Sequence, residues 1–171
     1  DASTLNAGKG QIAAGALLSI KAGTIDLARA QDSVRDSLRS LSAIEIEAAR
    51  IDAPNGRIKA GGNLSIKSGD LLSLTSGTYL AGGGLLVEAA SLTSSASLAA
   101  MSTARVETRS GNLNQAGSVA GDAGTTLVSA GDVINSGRTL SKDSLTLSAA
   151  GQLQNTNTGL VVANKGVTLS V

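Results

Sequence analysis

Asn63–Leu86 reads NLSIKSGDLLSLTSGTYLAGGGLL, and the segment keeps restarting. L-x-I-x-S-G is followed by L-x-L-x-S-G, and that by Y-L-A-G-G. Apolar and small polar residues alternate over four or five positions, which is the signature of a half-buried strand. Each unit closes at a glycine, where the backbone can turn sharply. The chain therefore makes a short strand, turns a corner, and makes another.

The same phrase recurs along the sequence. Apolar pairs separated by one residue occur at Leu18/Ile20, Ile44/Ile46, Leu64/Ile66, Leu85/Val87, Ala104/Val106, Thr126/Val128, Leu145/Leu147 and Val167/Leu169. Apart from the first interval, their spacing is about 19 to 22 residues, which is the range of solenoid repeats. A second series follows the turns at Ile25/Leu27, Ile51, Leu72/Leu74, Leu92, Leu113, Val133 and Leu153. A third runs through Leu38, Ile58, Leu80, Leu98, Val119, Leu140 and Leu160. Three alternating segments per repeat, each too short to stand alone, predict one rung of a parallel β-helix. About eight rungs at ~4.8 Å each would make a rod of roughly 38 Å.

Composition agrees with a narrow coil. Of 171 residues, 42% are hydrophobic, yet Phe and Trp are absent and Tyr79 is the one aromatic. The interior must then be filled by Leu, Ile, Val and Ala, the residues that stack in ladders. Twenty-one glycines and a single proline suit many tight corners and argue against a Pro-rich linker.

Two outward registers are expected to form ladders of their own. Lys21, Glu47, Lys67, Glu88 and Glu107 each follow the second apolar position and should stack. Opposite charges alternate until Glu88 meets Glu107. Asn114, Asn135 and Asn155 share a register that suits an asparagine ladder at a turn.

The interval from Ile20 to Ile44 is several residues too long. Its excess falls within residues 28–41, where Val34, Leu38 and Leu41 have helical spacing and Asp32 could cap a short helix. An irregular insertion is expected there, leaving the stack intact. It carries Arg29, Arg35 and Arg39, a candidate interaction loop, although an insertion without a role fits as well.

The phrases AGALLSIKAGTIDL, AGGNLSIKSGDLLSL, AGTTLVSAGDVINSG and LTLSAAGQLQNTNTGLVVA resemble the haemagglutinin repeats of filamentous haemagglutinin. They are similar also to those of the exoproteins of contact-dependent growth inhibition. Both groups use bacterial two-partner secretion. The resemblance runs from about Leu5 to the end and is weakest across residues 28–41. It implies a right-handed parallel β-helix, exported through an outer-membrane partner to the cell surface. The rod would display adhesive or toxic parts located elsewhere. Ala53-Pro54-Asn55-Gly56 is similar to the NPNG motif of the family's secretion domain, with Ala53 in place of its first Asn; a Pro-Asn-Gly turn is also common in any fold.

The chemistry on offer is sparse. The chain has no histidine and no cysteine. That excludes a Ser-His-Asp triad, histidine- or cysteine-ligated metal, and disulfides. No phosphate-cradling G-x-x-x-x-G-K-[ST] occurs. A net charge of +1 gives no electrostatic footprint for nucleic acid. No apolar run is long enough to span a membrane. The start at Asp1, without a leader, suggests a piece of a longer protein. One acidic pair, Asp122 and Asp143, follows Val119 and Leu140 at the same offset and would stack on adjacent rungs. Such a pair could share a proton or bind calcium in a β-helical carbohydrate-active enzyme; solvated turn residues are the plainer account.

The sequence thus points to one β-helical segment over residues 1–171, without catalytic, cofactor or metal residues. Its expected partners are flanking rungs, the outer-membrane transporter during export, and a host or target-cell receptor. Its expected place is the bacterial surface.

Overall fold

A computed structural model describes residues 2–6, 11–27 and 37–171. Among them lie 22 strands, all paired in parallel, wound into a right-handed β-helix of about seven turns. One complete turn shows the plan. Thr78–Ala81 lies on a first face, Leu85–Ala89 on a second and Ser91–Ser94 on a third. The first face is an eight-stranded sheet. The other two belong to one 14-stranded sheet, because Leu18–Asp26 and Ile44–Asp52 run unbroken through the corner between them. The first turns therefore carry two strands where three were expected.

Each turn buries every second residue. Leu18, Ile44, Leu64, Leu85, Ala104, Thr125, Leu145 and Val167 stack in one inward column of the second face. Ile20, Ile46, Ile66, Val87, Val106, Leu127, Leu147 and Leu169 form the next. The third face contributes Leu5, Ile25, Ile51, Leu72, Leu92, Leu113, Val133 and Leu153, in the expected register. Full burial of one such aliphatic side chain stabilises by about 1.5–3 kcal/mol. At the corner that ends the second face, the inward column is of small residues: Ala48, Ser68, Ala89, Thr108, Ser129 and Ala149.

Three sequence expectations shift by one residue. On the second face Thr125 and Leu127 point inward, and Thr126 and Val128 outward. On the first face the inward column is Ile12, Leu38, Ile58, Tyr79, Leu98, Val119, Thr139 and Val161. Leu80, Leu140 and Leu160, expected inside, stand on the outer side. The cause is turn length: repeats of 19 to 22 residues move the register by one, and one residue of slip exchanges the two faces of a strand. The asparagine ladder shifts likewise. Gln115, Asn135 and Asn155 are in register, whereas Asn114 lies beside Ile134 on the outside. Asn135 donates from Nδ2 to Asn155 Oδ1 at 2.7 Å and accepts from Thr139 Oγ1 at 3.1 Å.

Tyr79 fills the lumen beneath a turn. Pro54 and left-handed Asn55 (φ 56°) form the centre of that turn, and Gly56 N donates to Ala53 O at 3.2 Å. The Tyr79 hydroxyl donates to the same carbonyl at 3.1 Å. A Cβ at Gly56 would stand 2.7 Å from the hydroxyl, and one at Gly77 2.7 Å from the ring. Both glycines therefore make room for the aromatic ring. The Ala-Pro-Asn-Gly segment is thus a turn that roofs the Tyr79 site.

Of the long interval, residues 28–36 lie outside those described, and with them the expected helical turn. Its remainder is regular. Leu38–Ser40 is a strand of the first face with Leu38 fully buried, so the expected irregularity does not reach residue 41.

Candidate functional site

The lumen is filled with side chains, so polar groups able to meet a ligand stand on the outer faces. On the second face the predicted charge column is present: Lys21, Glu47, Lys67, Glu88 and Glu107 are register partners in succession. Lys21 meets Glu47 at 3.2 Å and Lys67 meets Glu88 at 3.7 Å. The like-charged step is relieved by arginines the sequence had not linked to it. Arg109 holds Glu88 at 2.9 Å and donates to Ser68 O at 2.9 Å, strapping three turns together. Arg105 holds Glu107 at 2.6 Å. Exposed pairs of this kind contribute about 0–1 kcal/mol each.

Asp122 and Asp143 are not neighbours in a column. Asp122 stands beside Lys142 on the next turn, 2.7 Å away, and Asp143 beside Lys165 at 2.9 Å. The hydrogen bond from Lys165, with its positive charge, holds the Asp143 carboxyl below its ordinary value. The expected acidic pair is two surface ion pairs. Besides Glu88 and Glu107, two aspartates do stack: Asp26 and Asp52, register partners on the outer side of the third face. Their equal offset from Ile25 and Ile51 was the signal in the sequence. Among the described residues no group of three or more Asp or Glu side chains gathers in a way that could hold a metal ion.

Of the three arginines proposed for an interaction loop, Arg29 and Arg35 lie outside the described residues. Arg39 is exposed on the first face and in register with Lys59. Beyond them that outer column turns apolar: Leu80, Ala99, Ala120, Leu140 and Val162.

Open grooves mark the surface, two of them on or beside the second face. One of about 520 Å³ on the second face is flanked by Glu45 and Arg105, with Leu86 between them. The other, about 280 Å³, lies at a corner over Ala48 and Gly69 and is rimmed by Lys21, Glu47, Lys67 and Arg109. Tyr79, the one ring able to stack on a sugar, is in the lumen, where burial raises its hydroxyl pKa. Neither groove places two carboxylates and a cation around one reacting position.

The haemagglutinin repeat family matches residues 1–44, 41–110, 95–157 and 141–171, and so the whole chain. The chain belongs to the filamentous haemagglutinin family. No curated protein and no solved structure matches it significantly. Among the described residues no helix is long and apolar enough to cross a membrane.

Proposed function

We propose that this chain is a shaft segment of a secreted bacterial surface protein of the adhesin type. It serves adhesion or contact-dependent competition by carrying binding or toxic parts away from the cell. The reading rests above all on the unbroken ladders, which run in one register through the described turns. A solenoid held by its own neighbouring turns transmits force along its axis and needs no reaction. On this reading the segment is not an enzyme, and its partners are flanking turns and the outer-membrane transporter that exports it. The absence of cysteine suits export of an unfolded chain, since no disulfide can close first. Family membership supports the surface location.

A second reading, direct receptor binding, is favoured by exposed Arg39 beside Lys59. One experiment separates the two. The labelled chain is offered to epithelial cells and to bacterial target cells, with an Arg29→Ala/Arg35→Ala/Arg39→Ala version alongside. A shaft shows no saturable binding to either cell type. Saturable binding that the triple variant loses would overturn the shaft reading and assign a receptor contact to these arginines.

A further inference from the structure

A third groove, of about 450 Å³, lies at the edge of the first face and follows the coil axis from Lys59 to Asp122. These residues are three turns apart by register, so at ~4.8 Å per turn the groove is roughly 14 Å long. Its floor is bare because two successive corner residues are glycines. A Cβ at Gly61 would run into Leu41 O, and one at Gly82 into Gly61 O, so the backbone packing itself keeps side chains out. Leu80 stands on one side of the floor, 38% exposed, and Met101 stands one turn beyond Gly82, 73% exposed. Ala99 and Ala120 continue the Leu80 column as methyl groups.

The two ends differ in charge. At one, Lys59 and its register partner Arg39 are exposed cations with no acid paired to them among the described residues. At the other, Lys142 holds Asp122 at 2.7 Å and their charges cancel. The groove is thus a slender apolar channel with a net positive charge at one end.

That shape selects its occupant. An extended peptide would bury backbone groups without partners, since the N–H groups of Gly61, Gly82, Met101 and Asp122 already donate to carbonyls of the preceding turn. A helix satisfies its own backbone but brings an apolar stripe wider than this one column, which Thr78, Ser97 and Ser118 flank with hydroxyls. A second copy laid on so short a strip would bury far less than the ~1,200 Å² of a stable interface. A hydrocarbon chain is slender, carries no polar group along its length, and gains by leaving water.

We propose that this groove binds a single-chain anionic amphiphile of the long-chain carboxylate class. The hydrocarbon lies over Gly61 and Gly82 against Leu80 and Met101, and the carboxylate sits at Lys59 with Arg39 behind it. The shaft then carries a ligand on its flank in addition to bearing load.

Calorimetric titration of the full chain with dodecanoate, kept below its micelle-forming concentration, tests this. Saturable binding of one molecule per chain is expected. Dodecyltrimethylammonium, the same hydrocarbon with a cationic head, should bind about ten-fold more weakly or worse, the effect of losing one charge-assisted contact. Lys59→Glu should weaken dodecanoate to a similar degree and remove the preference between the two heads, whereas Leu80→Asn should weaken both amphiphiles. Both side chains are exposed, so circular dichroism should not change. Leu86→Asn, in the second-face groove, should leave binding unaltered. Equal affinity for the two heads, or binding that survives both Lys59→Glu and Leu80→Asn, would overturn the proposal. So would loss of binding in Leu86→Asn, which would place the ligand in the other groove. Adsorption to phosphatidylglycerol vesicles without uptake of monomeric dodecanoate would overturn it in favour of a membrane surface, and a dimer abolished by Leu80→Asn in favour of a second copy.

Discussion

Replacing Leu127 with lysine unfolds the turns around it, whereas Val128→Lys leaves stability within about 0.5 kcal/mol of the parent. The two residues are neighbours in one strand and differ in the side they face. Leu127 is fully buried between Val106 and Leu147 in its column. An ammonium group there has no anion to pair with and no water. Side chains of this kind belong to the small class whose cost exceeds about 4 kcal/mol. Against a total of about 5–15 kcal/mol for a folded domain, that is enough to open the stack locally. Val128 faces outward, directly above Glu107. A lysine there extends the charge column and meets an acid on the turn below. Urea denaturation of both variants decides the matter. Equal destabilisation, or the reverse order, would place Val128 inside, as the plain periodicity of the sequence suggests.

Tyr79→Ala costs about 3–5 kcal/mol, the range for emptying a buried aromatic site, while Tyr79→Phe costs about 1 kcal/mol. The ring is fully buried in an otherwise aliphatic lumen. Gly56 and Gly77 lie too close to it for larger residues, so the site is shaped around a ring. Removing the ring leaves a void that neighbouring strands, held in register above and below, cannot collapse to fill. Phenylalanine keeps the volume and gives up only the hydrogen bond to Ala53 O. That carbonyl still accepts from Gly56 N, which is why the smaller loss is expected. Thermal melting of the two variants is the check: similar losses would mean that the hydroxyl, rather than the packing, holds this turn.

Much of the fold was legible because strand alternation and the corner glycines are strictly local signals. The third-face column from Ile25 to Leu153 and the charge column from Lys21 to Glu107 could be read directly. The errors share one origin. Counting repeats tolerates an uncertainty of a residue, but side-chain direction does not. The sequence therefore supplied Val128 where Leu127 belongs, Leu80 where Tyr79 belongs, and Asn114 where Gln115 belongs. At Leu80 the error has a further cause. Leucine is the more hydrophobic choice for a core, and only the turn over Gly56 and Gly77 shows that a ring sits there. The same slip created the apparent Asp122–Asp143 pair, which is two lysine-paired acids. The arginine strap at Glu88 was illegible for another reason. Arg109 lies beyond the strand, and its reach to Ser68 is a matter of three dimensions.

Residues far apart in the chain stand whole turns apart along the axis of the coil. Spin labels in the outward column of the second face test it most directly. From Lys21 the column climbs through Glu107 to Ser170 in a single succession of register partners. At ~4.8 Å per turn, a label pair at Lys21 and Glu107 should lie about 19 Å apart, and one at Lys21 and Ser170 about 34 Å. Each distance should have a narrow distribution, and the two should stand in the ratio of the turns crossed. A Lys21–Ser170 distance no longer than the Lys21–Glu107 distance, or a broad spread in both, would contradict the coil.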